Sequence, residues 1–163
     1  NDDRTVQRWA SPESRRELVR HWVQDLGRTL DYLESRPDVD GSSAVFLGMS
    51  FGATLMPDLL AYEPRFAGAV LYSGGFGRTE SQESIDRRSG LARRITVPVL
   101  QLGSENDFYS PRMNQEAMFR FFGTPDDQKR IRIYDSGHWP LPMNEVVRET
   151  VDFLDRVRSR STG

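Results

Sequence analysis

Three residues in this chain have types and positions that together could do chemistry. Ser50 sits in Gly48-Met49-Ser50-Phe51-Gly52, a G-x-S-x-G pattern between a short apolar run, Ala44 to Leu47, and an apolar segment, Ala53 to Ala61. The first reads as a buried strand and the second as a helix. Strand, motif and helix form the context in which a serine is presented on a tight turn with its hydroxyl lifted out of a sheet. Glycines flank it because a side chain at Gly48 or Gly52 is expected to collide with neighbouring backbone. A serine hydroxyl is a poor nucleophile until a base takes its proton. Histidine does this best, with a carboxylate fixing its tautomer and orientation.

The chain has two histidines. His21 lies beside Trp22 within the first helical pattern and reads as a surface or packing residue. His138 lies in the loop Asp135-Ser136-Gly137-His138-Trp139-Pro140, just past a predicted strand. Asp107 follows another strand, with Glu105 as its local rival. Asp135 is too near His138 in sequence to orient it from a separate strand end, and Asp126 and Asp127 read as solvated residues between elements. Asp107 has its own bland alternative, a turn residue capping the next segment. In a parallel sheet the C-terminal ends of the strands gather on one edge, so Ser50, Asp107 and His138 are expected to meet there. The chemistry of that set is attack on a carbonyl carbon with general-base help, which requires no metal or cofactor.

The elements that must position these residues are legible from periodicity. Ser11-Pro12-Glu13 is a helix start, and Leu18, Trp22, Val23, Leu26, Leu30 and Leu33 follow at helical spacing,. A helix over 12–35 is predicted, with one face packed on a sheet, ending at the turn Arg36 to Gly41. Strands are predicted at 44–48, 66–72, 97–102 and 130–134. Helices are predicted at 53–62, 111–122 and 144–158, with a short one at about 82–94 in an otherwise mobile surface connection. Residues 1–10 read as a loop and 159–163 as a frayed tail. Strands alternating with helices imply a mostly parallel sheet with helices on both faces, a three-layer α/β architecture. The whole of 1–163 reads as one domain.

Composition excludes several function classes. The chain has 163 residues, 22 basic and 24 acidic side chains and no cysteine. The near balance of charge, with no basic run, argues against nucleic acid. No apolar segment approaches the length of a membrane span, and no disulfide framework or thiolate metal site can form. No charged-then-apolar leader pattern is present, so the expected location is cytoplasmic. The chain opens at Asn1 rather than Met, which suggests a piece of something longer. Arg87, Arg88, Arg93 and Arg94 read as a solvated face. Phe108, Trp139, Tyr72 and Phe76 read as core aromatics rather than pocket walls.

Beyond these readings, the chain resembles α/β-hydrolases of the prolyl-oligopeptidase and dienelactone-hydrolase type. The resemblance runs from Asp25-Leu26-Gly27 through Gly48-Met49-Ser50-Phe51-Gly52-Ala53, Glu63-Pro64-Arg65-Phe66 and Ser73-Gly74-Gly75. It continues through Val97-Pro98-Val99-Leu100, Asn106-Asp107-Phe108 and Gly123-Thr124-Pro125. It ends with Tyr134-Asp135-Ser136-Gly137-His138 and Asn144 to Thr150. It looks closest to bacterial hydrolase domains joined to serine/threonine protein kinases. The order serine, acid, histidine is that of this superfamily, here with spacings of 57 and 31 residues. The resemblance implies an α/β-hydrolase fold and a serine hydrolase acting on a small-molecule ester or amide. Ser50 would be the nucleophile, His138 the base, Asp107 the acid, and the Phe51 backbone N–H an oxyanion donor. Ala53 stands where many relatives carry a second glycine.

The family's full sheet has about eight strands, and this sequence supplies four. On that count the chain looks like the C-terminal half. The strand at 44–48 would be an exposed apolar edge, and the second oxyanion donor would come from an upstream part of the same protein that completes the sheet. The competing expectation is a non-catalytic, hydrolase-like binding or regulatory module.

Overall fold

A computed structural model describes residues 11–161. The chain divides into two compact units, Asn1–Gly41 and Ser42–Gly163. The first contains helix α1, Pro12–Glu34. Its start follows from local chemistry: the Ser11 hydroxyl accepts the Ser14 N–H at 3.1 Å, with proline in the first turn and Glu13 beside the positive end of the helix dipole,. Its end is closed by the Ser35 N–H, which donates to the Asp31 and Tyr32 carbonyls. His21 is exposed, in keeping with a surface role.

The second unit is built on a four-stranded sheet in the order β1-β2-β3-β4, all neighbours parallel. The strands are β1 Val45–Met49, β2 Gly68–Tyr72, β3 Val99–Asn106 and β4 Lys129–Gly137. Between them run α2 Phe51–Leu60, α3 Gln82–Ala92 and α4 Arg112–Phe121, and α5 Met143–Ser161 follows β4. Sequential strands are neighbours in space, each joined to the next by a helix, as βαβ units require.

Side chains alternate across the sheet. Val70, Leu100, Leu102 and Tyr134 pack with Val146, Phe153 and Val157 of α5. The opposite face meets α4, where the buried Gln101 amide donates to the Gln115 carbonyl. Contacts of α2 with β1 and β2, and along the series α2, α3, α4, place these three helices together on that side. The two interior strands are the most apolar, with Val70, Leu71, Leu100 and Leu102 fully buried. Among the described residues β1 pairs only with β2, and its Leu47 and Met49 are half exposed, the apolar edge that the sequence predicts.

Several element boundaries differ from expectation. β3 and β4 run on past their apolar runs to Asn106 and Gly137, because the pairing continues through a bulge between Ser104 and Asn106. The short helix expected at about 82–94 is present at Gln82–Ala92, capped by the Ser81 hydroxyl. The C-terminal stretch expected to fray from 159 is helical to Ser161. Ser159 donates to the Asp155 carbonyl at 2.8 Å, and Arg158 and Arg160 put positive charge at the negative end of the dipole,. The expected loop 1–10 and the last two residues lie outside the described residues. No described helix is long and apolar enough to cross a membrane.

Candidate active site

Ser50 lies between the end of β1 and the first residue of α2, at φ 51° and ψ −110°. A non-glycine residue at positive φ is strained and persists only where its surroundings impose it. Here the Ser50 N–H donates to the Tyr72 carbonyl at 2.8 Å, and its own carbonyl accepts the Thr54 N–H at 2.9 Å. Gly48 lets the turn close: a Cβ there would lie 2.7 Å from the Gly52 carbonyl carbon. The expectation for Gly52 is corrected. A Cβ at Gly52 would meet nothing within 4 Å among the described residues, and its φ is not positive. Only the first glycine of the motif is sterically required by these surroundings.

The three predicted residues come together. The Ser50 Oγ lies 2.8 Å from His138 Nε2, and His138 Nδ1 lies 2.8 Å from Asp107 Oδ2. A carboxylate can only accept, so Nδ1 donates to Asp107, leaving the Nε2 lone pair to face the serine hydroxyl. The Asp107 side chain is fully buried, and that of His138 is 16% exposed. The two readings of Asp107 turn out to be compatible, because each oxygen takes one of them. Oδ1 accepts the backbone N–H groups of Tyr109 and Ser110 at 2.8 and 3.0 Å, and Oδ2 accepts from His138. The rival Glu105 instead pairs with Arg112 at 2.6 Å. Asp135 accepts from the Asn106 amide, and Asp126 is solvent-exposed beside Lys129.

The loop after β3 is held from below. The Gln115 amide of α4 donates to the Ser104 and Ser110 carbonyls, and the Ser110 hydroxyl donates to the Phe76 carbonyl. This packing explains the glycine pair after β2. A Cβ on Gly74 would lie 2.4 Å from that of Ala53, and one on Gly75 would lie 2.3 Å from the Ser110 hydroxyl.

Two aromatic expectations are corrected. Phe108 and Trp139 are not core; they are 58% and 53% exposed. The Tyr109 ring, itself stacked by Phe108, lies edge-on to the His138 imidazole at 4.9 Å, so these two rings stand beside the imidazole. Phe76 is buried as core, and the Tyr72 hydroxyl bonds with Thr150.

The arginine stretch is also corrected at one position. Arg88 is buried. It pairs with Asp58 of α2 and with Glu80, and donates to the Thr54 carbonyl. Arg87 also pairs with Asp58. Burial pushes the Glu80 carboxyl up, but the Arg88 charge and hydrogen bonds from Arg88, Ser84 and the Gly77 N–H outweigh it and hold the group below its ordinary range. Sequence reasoning missed this cluster because charged residues at helical spacing look the same on a solvated face. It also missed Ser73, whose hydroxyl donates to the His138 carbonyl at 2.9 Å. The available signal was a polar residue at the end of an otherwise apolar strand, followed by two glycines. Among the described residues no cluster of metal-ligating side chains occurs.

Comparison with known proteins agrees with this architecture. A family model described as "Dienelactone hydrolase family" matches residues 1–160. A cold-adapted esterase from an Arctic intertidal metagenomic library, solved with zinc bound, is 26% identical with a TM-score of 0.66, over 82% of this chain and 56% of that one. An acetyl xylan esterase from Paenibacillus sp. R4 is 21% identical with a TM-score of 0.66, over 82% and 51%. The alpha/beta hydrolase GrgF from Penicillium sp. sh18 is 13% identical with a TM-score of 0.69, over 85% and 72%. The last two likenesses show the fold alone, the α/β-hydrolase fold. The chain spans about half the length of the two esterases. No curated protein matches it.

Proposed function

The chain belongs to the dienelactone hydrolase family, and on that premise we propose that it is a serine hydrolase cleaving a carboxylic ester or amide through Ser50, His138 and Asp107. The observation that carries this reading is the unbroken hydrogen-bonded chain from the Ser50 Oγ through the imidazole to Asp107. In it, His138 Nε2 takes the hydroxyl proton as Ser50 Oγ attacks the substrate carbonyl. The imidazolium so formed is stabilised by Asp107, which accepts from Nδ1 and is itself fixed by two backbone N–H groups. The proton then passes to the leaving oxygen or nitrogen, and an acyl-serine remains. Water, deprotonated by the same histidine, releases the acid.

Charge that develops on the carbonyl oxygen needs donors already in place. Phe51 opens α2, so its N–H lies in the first turn, at the end of the helix where the dipole favours negative charge, and it is the first donor in this reading. In this reading the second donor comes from outside the described residues. The exposed rings of Phe51, Phe108, Tyr109 and Trp139 favour a substrate with an apolar portion beside the ester. A bacterial, cytoplasmic protein in which this domain accompanies a protein kinase belongs to the same proposal, and the coding sequence flanking the chain tests it.

Ser50→Ala in the full-length protein is expected to abolish hydrolysis of a small activated ester. Removing a nucleophile of this kind lowers turnover by roughly 10⁶-fold. Activity equal to that of the parent would overturn the assignment.

A further inference from the structure

The sheet order creates a problem of reach that the three reacting residues do not solve by themselves. Ser50 follows β1, and His138 lies just past the end of β4. Two strands, β2 and β3, lie between them. The loop carrying the imidazole must therefore return across the ends of two strands to bring Nε2 within 2.8 Å of the serine.

On that path sits Ser73, directly after β2 and 1% exposed. Its hydroxyl donates to the backbone carbonyl of His138 at 2.9 Å, and its N–H donates to the Leu102 carbonyl of β3 at 2.9 Å. The residue before it, Tyr72, accepts the Ser50 N–H at 2.8 Å. Two consecutive residues, Tyr72 at the end of β2 and Ser73 just past it, thus hold the backbone of the nucleophile, the strand leading to the acid, and the loop of the base. Ser73 is also the one other described non-glycine residue at positive φ, 50°. Glycine would hold that backbone at lower cost, and a serine there brings a hydroxyl that glycine lacks.

We propose that Ser73 is a positioning residue: its hydroxyl fixes the His138 carbonyl and so sets the reach of the imidazole across β2 and β3 to Ser50. The inference rests on the hydrolase reading above. It predicts a specific split between folding and turnover. Misplacing a reacting group by about 1 Å can cost about 10²-fold in rate.

The test compares Ser73→Gly and Ser73→Ala with the parent in the full-length protein. Ser73→Gly relieves the positive φ while deleting the hydroxyl, so its thermal midpoint should stay at or near that of the parent. Its kcat on an activated ester should still fall by at least about tenfold with KM little changed. Ser73→Ala, which keeps the strain, should lose the same activity and some stability. The downfield Nδ1 proton resonance of His138 should broaden or shift in both variants. A fully folded Ser73→Gly with the parent's kcat and an unchanged His138 resonance would overturn the proposal. That result would leave the hydrolase reading intact so long as Ser50→Ala is inactive. Parental activity in Ser50→Ala would sink the hydrolase reading first, whatever the Ser73 variants do.

Discussion

The two ends of the proposed reacting set are held in different ways. On the β1 side, Ser50 is placed by backbone: a positive φ, the approach of Gly48 to Gly52, and the N–H to Tyr72. The neighbouring Leu47, Met49 and Phe51 are half exposed. On the β3–β4 side, Asp107 is placed by a buried polar network in which Gln101, Gln115, Ser104 and Ser110 hold one another and the backbone. The nucleophile is thus set by local conformation and the acid by contacts between distant segments. Each side should therefore break differently: one through a few atoms of backbone space, the other through charge and hydrogen bonding.

The sharpest break on the acid side is Asp107→Asn. The amide oxygen can still accept from Tyr109 and Ser110, so folding should be retained. An amide facing Nδ1 favours the wrong imidazole tautomer, and kcat should fall by roughly 10⁴-fold, measured under saturating activated ester. A drop confined to stability would show that Asp107 is only a turn residue.

Next in size is the ion cluster of Arg88, Asp58 and Glu80. Arg88→Met removes the cation between Asp58 and Glu80, both poorly exposed, and should cost about 3–5 kcal/mol by urea unfolding, with kcat nearly unchanged in the folded fraction. The pH dependence carries a sign. Glu80 has a folded-state pKa below its ordinary value of 4.5. Its stabilisation is therefore complete above that value and is lost as pH falls through the lower, folded one. Stability measured from pH 7 downward should decline over that acid window in the parent, and the Glu80 part of the decline should vanish in Arg88→Met.

The smallest effects separate the two glycines of the motif. Gly48→Ala forces a Cβ to 2.7 Å from backbone and should cost about 1–3 kcal/mol together with most of the activity. Gly52→Ala meets open space and should stay within about 0.5 kcal/mol of the parent. Equal damage at both positions, read by thermal melts and ester turnover, would show that Gly52 is as crowded as Gly48.

The same contrast explains what was legible in the sequence. Ser50, Asp107 and His138 stand at strand ends, and strand ends follow from apolar runs and turn residues, so their convergence could be foreseen. The alternation of strand and helix foretold the parallel sheet. The burial of Arg88, the tether from Ser73 and the exposure of Phe108 and Trp139 were not legible. Each depends on which distant segment packs opposite, and periodicity reports only one element's own faces. Gly52 was misread for a related reason. The motif names two glycines, but only the three-dimensional neighbourhood says which one is crowded.

The most direct test of the central claim is reaction of the full-length protein with a fluorophosphonate, followed by mass mapping of the adduct. A single adduct on Ser50 is expected, absent in Ser50→Ala and formed far more slowly in Asp107→Asn. No adduct, or one on another residue with Ser50 unmodified, would contradict it.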